Sequence, residues 1–178
     1  VVSSITHNSI PLTEFVIGHI ATSTRVVTGW YLIAPTTGSQ TVTATLSETG
    51  SHKVLACIPV TGANQSAPIG TCASYSGFDD PATATVTVPA NGAGIAIGTS
   101  TDPTGAATTT VDANSTRRWG LADTDSLIGG IGSTTVTAGS NAQTMSNAAA
   151  DYFSMIACPI NVATSAPVRR RSGITIFQ

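Results

Sequence analysis

Two pairs of carboxylates lie close together in the sequence, Asp79 with Asp80 in SYSGFDD and Asp123 with Asp125 in LADTDSL. Calcium takes about six to eight oxygen ligands, so either pair would supply only part of a site. Aspartates in loops also bond their own backbone, and turn formation is the simpler reading of both pairs. Glycoside hydrolysis needs two acids at a fixed separation, which no run of residues defines. Arg117, Arg118 and Trp119 form a second polar cluster. It suits cation–π and bidentate contacts to a partner, and equally a strand with Trp119 inward and its arginines at the rim. His7, His19 and His52 are scattered, with no HExxH or HxH spacing. There is no GxSxG, and Gly129, Gly130 and Gly132 of LIGGIGS lack the phosphate-cradling GxGxxG spacing, so a flexible loop is expected there. These patterns assign no catalytic residue, no cofactor and no metal site.

The three cysteines, Cys57, Cys72 and Cys158, include no CxxC pair. Zinc sites need closely spaced thiolates or imidazoles, and this chain has neither. Cys57 in VLACIPV and Cys158 in SMIACPI sit in apolar, strand-like runs, where small buried core residues are expected. A disulfide between two of the three is left open.

The elements that would position these residues are strands. The chain has 178 residues, 41% hydrophobic but only 9% charged, with a net charge of −2. Threonine and serine make up the difference, and branching at Cβ suits threonine to a pleated backbone. Lys53 is the sole lysine. Because lysine is depleted at interface cores, a surface so poor in it is expected to lie largely against other chains. The charge balance provides no field to recruit nucleic acid, and no apolar run is long enough for a membrane helix. The first residues, VVSSITHNSIPL, lack the basic and apolar regions of a signal peptide, which is expected to be absent or already removed.

Period-two alternation is clearest over 41–46, where Val42, Ala44 and Leu46 alternate with Thr41, Thr43 and Thr45. Together with the apolar run before Pro35 and Gly38, it reads as a hairpin over 29–46. Further strands are expected near 1–10, 13–21, 25–34, 40–47, 53–61, 83–89, 93–98, 106–112, 116–121, 133–138 and 153–163, with another hairpin at PANGAGIAIG. Met145, Ala148, Ala149 and Tyr152 recur at helical spacing, predicting a short helix or ordered loop near 143–152. The expected fold is all-β, an antiparallel jelly-roll-like sandwich over residues 1–165. An extension follows at 166–178, where Arg169, Arg170 and Arg171 precede an apolar tip carrying Ile174, Ile176 and Phe177. These six are the candidate partner-binding residues, on a tail expected to dock on a neighbouring subunit or an acidic surface.

Trp30-Tyr31-Leu32, Pro35, Gly38 and TVTATL, then VLACIPVTG, SYSGFDD and SMIACPINVA, resemble a β-sandwich domain of tailed-bacteriophage virion proteins. The likeness covers roughly residues 25–80 and 150–165, and the stretch 59–73 departs from it as a longer loop. The resemblance implies jelly-roll topology and a capsid decoration, or cement, protein on the outer capsid surface. Its partner would be the major capsid protein, and the chain would form a homo-oligomer, a trimer. It implies no catalytic residues, nucleic acid or membrane. The alternative is a receptor- or carbohydrate-binding module of a phage tail or fibre.

Overall fold

The computed structural model describes residues 2–19, 26–47, 53–100, 110–122, 129–146, 152–163 and 173–177. Every regular element among them is a strand: β1 (Val2–His7), β2 (Ile10–Pro11), β3 (Thr13–His19), β4 (Val26–Ile33), β5 (Val42–Leu46), β6 (Cys57–Thr61), β7 (Ala73–Phe78), β8 (Ala82–Val88), β9 (Ala93–Ser100), β10 (Thr110–Val111), β11 (Ser115–Ala122), β12 (Gly129–Thr135), β13 (Gly139–Ser146), β14 (Tyr152–Ile160) and β15 (Gly173–Phe177). All ladders are antiparallel. They form four sheets, ordered β2-β1-β5, β3-β4-β15-β6, β11-β12-β9-β14-β7 and β10-β13-β8.

Alternation of side chains stacks these sheets. Along β14, Phe153, Met155 and Ala157 enter one core with Ala82, Ala84, Val86 and Val88 of β8 and Met145 of β13. The residues between them, Ile156, Cys158 and Ile160, enter the opposite core with Val27 and Tyr31 of β4. The five-stranded sheet is therefore covered on both faces, which explains why MIACPI is a continuous apolar run with no polar alternation. β4 does the same one layer further out. Its Trp30 and Leu32 pack with Ile5, Leu12, Val42 and Ala44 of the β2-β1-β5 sheet region. The antiparallel all-β sandwich is thus built as four sheets in succession with three cores between them.

Several expectations are corrected. β4 and β5 do not form a hairpin: β4 pairs with β3 and β15, and β5 pairs with β1. Alternation reports which face is buried and carries no information about which strand is the partner. At PANGAGIAIG the tight turn does form, with Gly92 N–H bonded to the Pro89 carbonyl at 2.8 Å and Asn91 at φ 60°. It joins strands of two different sheets, because β8 pairs with β13 while β9 pairs with β12 and β14. The helix near 143–152 is absent over its described part, since Met145 is in β13 and Tyr152 begins β14. Ala148 and Ala149 lie outside the described residues. The inward row of β13 is Asn141, Gln143 and Met145, so its period of two is hidden by polar residues at core positions. The LIGGIGS glycines belong to β12, not to a loop.

Of the 59–73 departure, residues 59–61 belong to β6, and 62–72 form an irregular edge along β14 and its continuation. Ala63 bridges to Val162 and Ile69 to Ile160, Gly70 N–H donates to the Pro159 carbonyl at 2.9 Å, and Asn161 N–H donates to the Pro68 carbonyl at 2.8 Å. The Asn64 carboxamide oxygen accepts from the N–H groups of Ser66 and Ala67 at 2.8 and 3.1 Å, holding the turn in this run. A disulfide links Cys72 to Cys158, and Cys57 is a free, exposed cysteine.

Candidate binding surfaces

The acidic pair Asp79–Asp80 follows β7 in the turn to β8, next to the cis peptide before Pro81. Tyr75 is half-buried against the β8/β14 core, and its phenol runs along β7 over Gly77 to donate a 2.5 Å hydrogen bond to Asp79 Oδ2. A side chain at 77 would push that hydroxyl aside. Burial, then the bond to Asp79 and its negative charge, push the Tyr75 phenol up to about 12. Asp79 therefore serves as a strand-end acceptor. No group of three or more histidine, cysteine or carboxylate side chains capable of holding a metal occurs among the described residues. Asp123 and Asp125 lie outside them.

On the other face of β7, Phe78 stands directly opposite Tyr152 of β14. The two rings meet edge to face at 4.8 Å and are 54% and 40% exposed. An exposed aromatic pair is the kind of apolar feature that recognition surfaces use. Because Phe78 and Tyr75 alternate along β7, the pair and the Tyr75–Asp79 bond do not share a pocket.

Arg117, Arg118 and Trp119 fall in β11 at a bulge that leaves Arg118 without a partner in the β12 ladder. Arg118 Nε donates to Thr134 Oγ1 at 2.6 Å across that ladder. Trp119 lies over Gly132, where a methyl group would meet the indole ring, and it packs against the β4/β14 core. RRWGLA is therefore a strand with its tryptophan inward. The same device recurs at the β3 bulge, where Phe15 covers Gly29 of β4.

A polar seam, which no motif marks, closes the core between β13 and β11. Asp112 Oδ1 accepts from Asn114 N–H at 2.9 Å, while Oδ2 accepts from the Ser115 hydroxyl at 2.7 Å and Thr144 N–H at 3.3 Å. The Gln143 carboxamide, fully buried, lies 3.1 Å from the same hydroxyl. Serine has one hydroxyl proton and the nearer, charged acceptor takes it, so the Gln143 amide is better turned with its nitrogen toward Ser115. Carboxylate, hydroxyl and amide then form one chain that pins β10, β11 and β13 together, a structural role.

A groove of about 650 Å³ runs between the 70–73 segment and the free edge of β8, lined by Thr71, Cys72, Thr85, Thr87, Pro159 and Asn161. Of the candidate partner-binding residues, Arg169, Arg170 and Arg171 lie outside the described residues. Ile174, Ile176 and Phe177 lie in β15, between β4 and β6, so the tip expected on a separate extension is an inner strand of a sheet. Paired strands on both sides satisfy its backbone, which a free tail would leave to water. His7 is buried in β1, His19 ends β3, and His52 is not among the described residues. Compared with protein-family models, curated proteins and solved structures, the chain matches none.

Proposed function

We propose that the protein is a structural component of an assembly, of the capsid-decoration type, which binds the outside of a phage head and stabilises it. The observation that carries this reading is the uncharged outward face of the outer strands. Thr43 and Thr45 of β5 and Thr83, Thr85 and Thr87 of β8 are exposed, while the residues between them turn inward. A threonine row costs less to desolvate than lysine or glutamate, and among the described residues β8 ends its sheet with a ladder on one edge alone, so a neighbour can lie flat against it. The WYL–P–G, SYSGFDD and SMIACPI resemblance supplies the virion context, with the major capsid protein as partner and a trimer as the oligomer. Mechanistically, a protein that binds only the closed shell stabilises that shell by mass action.

Quantifying the chain by mass spectrometry in purified virions of its source tests this. A copy number comparable to that of the capsid subunits is expected, with loss of the protein lowering the temperature at which heads open. Absence from virions would overturn it. A few copies per particle would favour a second reading, a receptor- or carbohydrate-binding module of a tail or fibre, which the exposed Phe78–Tyr152 pair supports. In that case Phe78→Ala should abolish binding to host-surface glycans.

A further inference from the structure

We propose that the outer edge of β8 is a strand-addition site, which takes an extended, uncharged segment of a partner protein as a further strand of the β10-β13-β8 sheet. The ladder to β13 runs without a break from Ala82–Met145 to Val88–Gly139 and occupies one edge of β8. Among the described residues no ladder, isolated bridge or loop backbone bond reaches the other edge. A strand presents alternate N–H and C=O groups along such an edge, and another extended backbone is the partner that matches the whole row. Sheet ends usually carry a feature that turns such a partner away: shortness, proline, charge or a bulge. Here β2 and β10 have two residues each, and β6 has Pro59 at its centre. β3 is bulged beside Glu14, and β11 is bulged between Arg117 and Trp119. β8 has none of these guards, since the seven residues of ATATVTV include no charge, no proline and no bulge. β5 and β7 are also unguarded but shorter, at five and six residues.

The 650 Å³ groove gives that edge depth and selects what enters it. One wall is Thr85, Val86 and Thr87 of β8, and the other is the 70–73 segment with Pro159 and Asn161. Ligand sites commonly enclose about 300–1,000 Å³, so the space suits several side chains of an extended peptide. None of the described residues that line it is charged. A lysine or carboxylate brought in would lose water without gaining a counter-charge, so the groove favours an uncharged segment. The far wall is fixed before any partner arrives. The disulfide holds Cys72, Gly70 N–H donates to the Pro159 carbonyl at 2.9 Å, and the Asn161 carboxamide donates to the Ala67 carbonyl at 2.9 Å. A preformed slot spares the complex that ordering. Strand geometry then sorts the incoming residues, one row joining Thr83, Thr85 and Thr87 at the surface and the other lying on the side of Ala84 and Val86. The inference deepens the proposed function by naming how β8 makes its contact, and only the identity of the partner rests on that reading.

The probe is a capped synthetic peptide of alternating threonine and valine, as long as β8 and carrying a dye, titrated against the purified full-length chain. A saturable rise in fluorescence anisotropy is expected, with an affinity that changes less than about twofold between about 0.05 and 0.5 M salt, because no ion pair contributes. N-methylation of the peptide's backbone nitrogens keeps its side chains and removes its ladder donors, and should weaken binding at least about tenfold. Hydrogen exchange locates the added strand: the β8 amides that β13 leaves unpaired should slow at least about tenfold at saturation. No binding up to about 1 mM peptide would overturn the proposal. So would equal binding of the methylated peptide, protection confined to strands other than β8, or faster exchange in β13, which would mean displacement of that strand and not addition beside β8. Because the assay contains no particles, a chain abundant in virions that ignores the peptide would lose this site and keep the decoration reading, and a chain absent from virions that binds it at β8 would do the reverse.

Discussion

Cys72 and Cys158 are bridged with their Cα atoms 4.2 Å apart across a sequence separation of 86 residues, tying the irregular 62–72 run to β14, the strand that both inner cores share. On either side of the bridge the backbone is already zipped, by the Gly70–Pro159 hydrogen bond and by the Ala73–Ala157 register. The crosslink therefore closes a long loop of the unfolded chain while demanding little further ordering of the folded one. Removing such a crosslink costs roughly 2–4 kcal/mol. Cys72→Ser should lower the melting temperature by roughly 5–15 °C relative to the unreduced parent, and reductant should do the same to the parent alone. Equal melting temperatures with and without reductant would show that the bond adds no stability.

Gly132→Ala should destabilise the protein by about 1–3 kcal/mol, because the new methyl meets the Trp119 indole and the ring has to lift away from the β4/β14 core. The same substitution at Gly38, where φ is +95° and no neighbour lies within 4 Å, tests backbone strain without a collision. Urea unfolding followed by tryptophan fluorescence separates the two. Gly132→Ala should also shift the native emission to the red as the indole gains solvent, and Gly38→Ala should not.

Burial of the Tyr75 phenol, together with its bond to Asp79, makes stability depend on alkaline pH. The folded phenol titrates at about 12, above the ordinary tyrosine value of about 10, so the unfolded chain releases its proton first. The stabilisation is fully present below pH 10 and is lost progressively as the pH rises to 12. Tyr75→Phe removes the titrating group and one exposed hydrogen bond, worth about 0.5–1.5 kcal/mol at neutral pH. Thermal melts between pH 8 and 12 should show the parent falling toward the variant across that window. Parallel curves would mean that the phenol titrates normally.

How legible these features were depends on which kind of residue marks each strand. β8 and β14 were plain, one by strict alternation in ATATVTV and the other by the apolar run MIACPI. β13 and β12 were not, because core positions in β13 are held by Asn141 and Gln143, and β12 has a glycine under Trp119 where a side chain would signal a strand. The exposed Phe78–Tyr152 pair depends on the register between β7 and β14, two strands far apart in sequence. No local pattern encodes that register. The end of the chain was illegible for a related reason: the destination of β15 is set by the edges of β4 and β6, which no residue of GITIFQ encodes.

That destination changes what truncation should do. A dispensable arm could be deleted with loss of association alone, whereas β15 supplies ladders to strands on both of its sides. Deleting 173–178 leaves β6 without a partner in its sheet and exposes the second edge of β4, a strand whose Val27 and Trp30 belong to two different cores. The expected outcome is a chain with a lower melting temperature, a broader transition and faster proteolysis around 57–61, even at concentrations where the parent is monomeric. A synthetic peptide of residues 172–178 should restore protection at β6 when added in excess, since the gap between β4 and β6 needs only a strand. If the truncated chain melts as sharply and as high as the parent, β15 contributes nothing to the fold, and residues 173–177 would have to act only between molecules.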